Sequence, residues 1–498
     1  MPALPVPRTS LDNSEKFASV LHQWASADGT VIMAVGERNY CTMLENFVLT
    51  SVLPFRTKNF VVVAMDRTMC AEPGDAVPQH EVGCYHYPHG ENLTGGYFGS
   101  PDYSRLVNVK TEVVLAALKL GFHVMFVDAD IVFLQNPQPF LDDVHDLQAQ
   151  RARRHDRICS GFFFVRSTPW GIAFIGETYR RALKKGLTAR QQPTMNSVLS
   201  DFKRKPFRVR ILGKDQFPIG VYYFNKGERI FSCPGCVVVH NNWIRGAKNK
   251  EFRFKEHLMW VVDDPPGYYS SQDTKYLEFG NPELNVSQRE QRESLIAAFL
   301  IAAILERVVI LPPMGCQGCD VNKKLPADVT SNCEGLAWGP NECTVIPHLS
   351  LSTLYDSLET WRFRERMFRF NPLVPPDIKL QLQGTQGRTI AGAQRVVESP
   401  EPPFLIATPK SLPRLNHVSE DRVLWPRSRG MAVSSTEIAQ YFGQWNESRI
   451  IRLDSLYGVS VVSSRTDREH GELAELGRKI RHAFAAAPMR RDRQGRLT

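Results

Sequence analysis

Apolar runs of strand length alternate with segments of helical period through the first half of the chain. Thr30-Val-Ile-Met-Ala-Val35, Asn59-Phe-Val-Val-Val-Ala-Met65 and His123-Val-Met-Phe-Val127 are nearly uninterrupted. Continuous apolar runs, unlike alternating ones, suit strands buried on both faces. Between them, Cys41 to Val52 reads as a helix. Tyr103 to Leu120 reads as another, with Leu106, Val109, Val113, Leu115 and Leu118 spaced for one buried side. Gly121 stands where a helix C-terminus favours glycine. Cys70 to Tyr97 is rich in Gly, Pro and His and is expected to be a long loop. Further strands are expected at Ser160–Val165, Val209–Leu212 and Cys236–His240, with helices over Trp170–Lys184 and Gln192–Phe202. This order predicts an α/β fold: a Rossmann-like, mostly parallel sheet with helices on both faces. In such sheets ligands bind at the carboxyl ends of the strands. Asp66, Asp128 and Asp130 all fall at such ends.

The pattern restarts in the second half. Asp263-Asp-Pro-Pro-Gly-Tyr-Tyr-Ser-Ser271 is a turn-rich break. Leu295–Leu305 then reads as a buried helix and Arg307–Pro313 as a strand, the start of a second, smaller α/β domain. The expected organisation is a tail over 1–27, a first domain over 28–265 and a linker over 266–290. An accessory domain follows over 291–383, then a loop over 384–415 rich in Gly, Pro and Ser. A further part of the accessory domain, 416–498, ends in a basic tail.

Composition narrows the class. The chain has 498 residues, 43% of them hydrophobic and 23% charged, which suits a globular protein of two or three domains. The net charge of +9 lies largely near the C-terminus, in Arg478-Lys-Ile-Arg481 and Arg490-Arg-Asp-Arg. A basic end of this kind is a solvated tail, and no nucleic-acid partner is expected. The longest apolar run, Leu295–Leu305, falls short of the roughly 20 residues that span a bilayer. The opening Met1-Pro-Ala-Leu-Pro-Val-Pro-Arg8 lacks the apolar core of a signal peptide, which taken literally implies a cytosolic chain. Ten cysteines point towards an oxidising lumen, with Cys316, Cys319, Cys333 and Cys343 grouped and Cys233-Pro-Gly-Cys236 as a second pair. Disulfides or zinc sites both fit these spacings. Three sequons start at Asn92, Asn285 and Asn446.

The candidate chemistry begins at Val127-Asp128-Ala-Asp130. Two carboxylates at the end of a buried strand are costly unless a cation pairs with them. A hard divalent ion prefers carboxylate oxygens. His240 ends another apolar strand and can complete such a site. Gly246 lets the backbone approach a phosphate, and Lys248 offsets its charge. Lys110, on the helix that leads to the aspartate strand, can reach a diphosphate. Gln192 and Asn196, at the opening of a helix, offer amides for sugar hydroxyls or for capping. Val127-Asp-Ala-Asp-Ile-Val132 also fits a phosphatase of the phospho-aspartate type, with Asp128 as nucleophile.

Lys110, Gly121 to Pro137, Gln192 to Asn196, Phe217-Pro-Ile-Gly220 and His240-Asn-Asn-Trp243 to Lys248 occur in this order. Together they resemble the nucleotide-diphospho-sugar transferase domain of glycosyltransferase family 77, over about residues 30–262. The resemblance implies a GT-A fold, a manganese or magnesium ion, a UDP-sugar donor and retention of anomeric configuration. It implies transfer of arabinose, xylose or galactose to a hydroxyl of a glycan or glycoprotein, in the Golgi or secretory lumen. It makes Asp130 and Asp128 the catalytic pair and, with His240, the metal ligands. Asp128, Lys110, Gly246, Lys248, Gln192, Asn196 and Trp243 become the nucleotide-sugar contacts. The chain departs from the family at Gln191-Gln192, where an Asp-Gln pair is usual. That departure leaves open a non-catalytic nucleotide- or glycan-binding protein on the same scaffold. More faintly, Gln291 to Pro313 resembles the start of the accessory region of arabinosyltransferase-like and fucosyltransferase-like members.

Overall fold

The computed structural model describes residues 6–71, 82–88, 90, 101–224, 233–244, 246–279, 288–312, 314–315, 337–339, 342–343, 363–383, 404–407, 431–443, 450–453, 456, 459–462 and 474–482. The three sequon asparagines, Cys316, Cys319 and Cys333, most of the expected loop over 384–415 and the basic tail after 482 lie outside the described residues. The chain divides into two compact units, Met1–Tyr223 with Ser232–Glu251, and Phe224–Phe231 with Phe252–Thr498.

The first unit is an α/β layer structure. In chain order it contains α1 (Glu15–Trp24), β1 (Thr30–Gly36), α2 (Cys41–Phe47), β2 (Phe60–Ala64), α3 (Thr68–Ala71), β3 (Gly83–His86), α4 (Pro101–Lys119) and β4 (His123–Val127). Then come β5 (Ile131–Phe133), β6 (Leu147–Arg151), β7 (Ile158–Val165), α5 (Pro169–Lys185) and α6 (Gln191–Phe202). The last are β8 (Val209–Leu212), α7 (Gly220–Tyr223), β9 (Val238–His240) and α8 (Ala247–Glu256), whose residues to Glu251 belong to this unit. Seven strands form one sheet in the order β3-β2-β1-β4-β7-β6-β8. Only β7 runs against its neighbours, β4 and β6.

The apolar runs explain why both faces are covered. Successive strand residues point to opposite sides. On one face Val31, Met33, Val61, Val63, Val124 and Phe126 pack with Phe17, Leu21, Val113, Leu118, Phe174 and Phe202 from the helices. On the other, Ile32, Val62, Met125 and Val127 pack with Leu44, Phe47 and Val48. Each such side chain stabilises by about 1.5–3 kcal/mol. That anchors β4 firmly enough to carry two acids at its end. Gly121 follows α4 with φ +97°, the left-handed conformation that ends a helix cheaply. The expected loop over Cys70–Tyr97 holds a strand after all. β3 pairs in parallel with β2, from Val61↔Gly83 to Ala64↔His86, and Cys84 is bonded to Cys70. An edge strand this short, between Gly- and Pro-rich flanks, leaves little periodic signal.

The second unit carries a smaller sheet of five strands, all parallel, in the order Phe363–Arg364, Val308–Ile310, Tyr276–Phe279, Ile450–Leu453, Phe404–Ala407. The helix Gln288–Ile304 buries Leu295, Phe299 and Ile301. Charge is buried here too. Tyr268 and Tyr269 donate their hydroxyls to Glu365 at 2.7 and 2.8 Å, and Arg369 pairs with Glu278. His257 donates Nδ1–H to the Arg253 carbonyl at 2.6 Å. Among the described residues, no helix is long and apolar enough to cross a membrane.

Candidate metal and diphosphate site

Two backbone registers bring distant residues together. β5, which directly follows the Asp-x-Asp turn, pairs antiparallel with β9, with Ile131 opposite His240. Asn241 donates its main-chain N–H to the Asp130 carbonyl at 2.8 Å. On the other side, Asp128 N–H donates to the Gly161 carbonyl at 2.8 Å. There the pairing of β6 with β7 slips. Ala149 faces Phe163 but Arg151 already faces Ile158. Cys159, Ser160 and Gly161 thereby leave the regular ladder. Bulges of this kind re-aim residues beside functional sites.

The result is a group of one oxygen from Asp128, one from Asp130 and one nitrogen of His240, all within 4.8 Å of one another. His240 Nε2 lies 3.3 Å from Asp130 Oδ1 and 3.9 Å from Asp128 Oδ2. Asp130 and His240 are buried, whereas Asp128 is half-buried. Two lysines close the charge balance. Lys110 Nζ sits 2.6 Å from Asp128 Oδ1, and Lys250 Nζ sits 2.8 Å from Asp130 Oδ2. Asn241 positions the second one, donating its side-chain amide to the Lys250 carbonyl at 2.8 Å.

Titration behaviour follows from this packing. Burial alone would raise the Asp130 carboxyl, but Lys250 and His240 overcome it and hold the group well below the ordinary carboxylate range. For His240, burial acts downward, and Asp130 with the neighbouring Cys159 reverses it, pushing the imidazole up to about 10. Lys250 is likewise raised by Asp130 against the effect of burial. Asp130 and Cys159 thus favour the charged imidazole, and a cation entering here competes with a proton on Nε2. The donor set, two carboxylates and an imidazole, suits manganese or magnesium. Space is reserved for the cluster by Gly161. A Cβ there would stand 2.2 Å from His240 Cε1 and 2.7 Å from Asp128 Oδ2.

Lys110, Asp128, Asp130 and His240 therefore meet at one point. The remaining candidates are distributed around it. Gly246, with φ +85°, and Trp243, with φ +63°, shape the loop between β9 and α8. A bulky residue in that conformation costs about 1–3 kcal/mol and is typical of binding loops. Trp243 is exposed, with the Arg153 guanidinium 5.7 Å over its ring. Lys248 pairs with Glu251 at 3.0 Å. Gln192 accepts from Ser160 N–H at 3.4 Å. Asn196 takes up both main-chain groups of Ile158, accepting its N–H at 2.9 Å and donating to its carbonyl at 2.8 Å, so its amide braces the start of the β7 bulge. Gln191 donates to Thr111 Oγ1 at 3.2 Å.

Sequence reasoning missed Lys250 and Gly161. A glycine inside the apolar run Ser160–Val165 was the available signal, since it marks close approach of another group. Lys250 lies two residues beyond Lys248, about 200° further round a helix, so only the helix start decides which lysine faces the aspartates. Cys233 and Cys236 form a disulfide, as do Cys70 and Cys84, whereas Cys159 is a buried thiol. The Cys233–Cys236 turn leads into β9, and Gln135 donates to its Pro234 and Cys236 carbonyls at 3.0 Å each.

Residues 56–254 match the family model described as nucleotide-diphospho-sugar transferase. The chain is 26% identical over 269 residues to a UDP-D-xylose:L-fucose alpha-1,3-D-xylosyltransferase of Arabidopsis thaliana, covering 49% of this chain and 72% of that protein. It is 31% identical over 195 residues to a UDP-galactose:fucoside alpha-3-galactosyltransferase of Dictyostelium discoideum, covering 34% of this chain and 30% of the other. A beta-arabinofuranosyltransferase of Arabidopsis thaliana is 29% identical over 273 residues, covering 49% and 50%.

Proposed function

We propose that the chain is a UDP-sugar glycosyltransferase of the nucleotide-diphospho-sugar transferase type, working with a divalent cation held by Asp128, Asp130 and His240. The observation that carries this reading is the convergence of three ligand atoms within 4.8 Å, flanked by Lys110 and Lys250. A cation bound there supplies Lewis-acid charge to the diphosphate of the donor as it departs. Lys110 pairs with Asp128, Lys250 holds the Asp130 carboxyl low, and both add positive field at the same place. The loop with Trp243 and Gly246 lies beside this point and supplies a place for the donor. Of the residues in the α6 segment, Gln192 supports Ser160 near the site.

The sugar transferred is xylose, arabinose or galactose, and the acceptor is a hydroxyl of a glycan or glycoprotein. Two relatives name a fucose or fucoside acceptor, which favours a fucose-bearing glycan. Transfer retains configuration. The bond from the anomeric carbon to the phosphate oxygen breaks, the acceptor oxygen bonds to that carbon from the same side, and the acceptor proton passes to a phosphate oxygen of UDP. The disulfides Cys70–Cys84 and Cys233–Cys236 fit work in an oxidising secretory lumen. Purified protein incubated with each UDP-sugar, fucosylated acceptors and manganese should release UDP with one preferred donor, and chelation should stop it. Release that is unaffected by chelator, or absent for every UDP-sugar, would contradict the reading.

A further inference from the structure

His240 has two faces, and only one meets the aspartates. Its Nδ1 is turned inward, towards Gln150 Oε1 at 3.0 Å, Asn242 Nδ2 at 3.2 Å and Cys159 Sγ at 3.5 Å. These neighbours make opposite demands. Gln150 Oε1 needs a proton on Nδ1, whereas the Asn242 amide would donate to a bare Nδ1. Gln150 is fully buried, and its orientation is fixed from behind, because Nε2 donates to the Phe217 carbonyl at 3.1 Å and the Pro218 carbonyl at 3.0 Å. Turning the amide over would set an oxygen against two oxygens. Oε1 thus faces the ring, and Nδ1–H is the donor that satisfies it. Leaving such a buried acceptor unsatisfied costs about 1–3 kcal/mol. Asn242 has another outlet. Its Oδ1 accepts from Gly220 N–H at 2.8 Å, and its Nδ2 also reaches Cys159 Sγ at 3.5 Å. The balance favours the proton on Nδ1.

We propose that Gln150 is a positioning residue that holds His240 as the Nδ1–H tautomer, so that Nε2 presents its lone pair to the cation shared with Asp128 and Asp130. The claim rests on the metal site proposed above. Its structural basis is the slipped β6–β7 pairing, which leaves Gln150 between the paired residues Ala149 and Arg151. The Phe217–Pro218 segment serves both groups, since Pro218 also accepts from His240 N–H at 3.2 Å. A partner on the far nitrogen of a metal-bound histidine fixes its tautomer and raises its basicity, and losing it typically costs 10- to 100-fold in metal affinity.

The test is manganese binding without donor or acceptor, read from the paramagnetic resonance signal of the free ion. Gln150→Met, similar in size but with no acceptor, should weaken the manganese Kd by about 10- to 100-fold. Its lost turnover should return at high manganese with kcat largely restored. Gln150→Glu, as the protonated acid, keeps an oxygen facing Nδ1 and an O–H towards the Phe217 and Pro218 carbonyls, and should stay within about 5-fold of the parent, on the same reasoning. It also serves as the test should Gln150→Met not fold. Parent-like affinity in Gln150→Met, or a loss in Gln150→Glu of about 10-fold or more, would overturn the proposal. Failure of the parent protein to bind manganese would instead overturn the metal site itself.

Discussion

Each unit buries a histidine, and the two respond to burial in opposite ways. His240 in the first unit and His257 in the second are 3% and 4% exposed. His257 has a main-chain carbonyl as its partner and Arg253 nearby, so burial pushes it down to about 3 and the ring stays neutral. His240 has Asp130 against its other nitrogen and is pushed up to about 10. Equal burial therefore favours the neutral ring in one place and is overcome in favour of the charged ring in the other. The difference lies in a specific opposite charge, which is what separates a candidate site from an ordinary buried residue. The same contrast runs through the surroundings. His257 packs edge-on to Phe224, whereas His240 sits among two carboxylates, two lysines and a glycine that leaves room beside it.

The largest effect should come from the residue that creates the contrast. Asp130→Asn should lower kcat/KM by about 10³-fold, the loss expected when a cation worth several kcal/mol to the transition state is no longer held. A variant keeping a tenth of the activity would place the cation elsewhere. Next come the two lysines of α8. Lys250→Ala should cost about 10²-fold, as removal of one preorganised charge commonly does. Lys248→Ala, whose partner is Glu251, should cost less than about 5-fold. Equal losses would erase the distinction drawn from their side-chain directions.

Stability against pH separates the histidines themselves. His257 is depressed, so its contribution is present above the ordinary value of 6.5 and is lost as pH falls towards about 3. His240 is raised, so in chelator its contribution is present below 6.5 and is lost as pH rises through about 10. Denaturation midpoints should accordingly fall on the acid side less steeply in His257→Phe, by on the order of a few kcal/mol. On the alkaline side they should fall less steeply in His240→Gln. Identical pH slopes for parent and variants would remove the comparison. The smallest expected effect is on turnover in His257→Phe at neutral pH, within about 2-fold of the parent, since a buried ring held neutral offers the site no charge to lose.

Most of the first unit was legible because its strands are continuous apolar runs and its helices keep their period. The strand over His123–Val127 was expected at those bounds and is found there, as is the strand over Val209–Leu212. The helix expected from Tyr103 to Leu120 runs from Pro101 to Lys119. Asp128, Asp130 and His240 were readable as well, because acids and a histidine at the ends of buried strands conflict with local apolar pattern. Residues whose meaning depends on register were not. Gln150 reads as one polar residue among several in Leu147-Gln-Ala-Gln-Arg151, and only the bulge and the Phe217–Pro218 carbonyls give it a direction. Asn196 reads as a sugar-binding amide until the main chain of Ile158 is found to occupy it. The Lys248 and Lys250 assignment turned on where α8 begins.

The central claim is that Asp128, Asp130 and His240 form one cation site. Titrating manganese into the purified protein in the presence of UDP tests it most directly. One tightly bound ion per chain is expected, abolished in both Asp130→Asn and His240→Gln and unchanged in His257→Phe. Tight binding that survives both of the first two substitutions would contradict it.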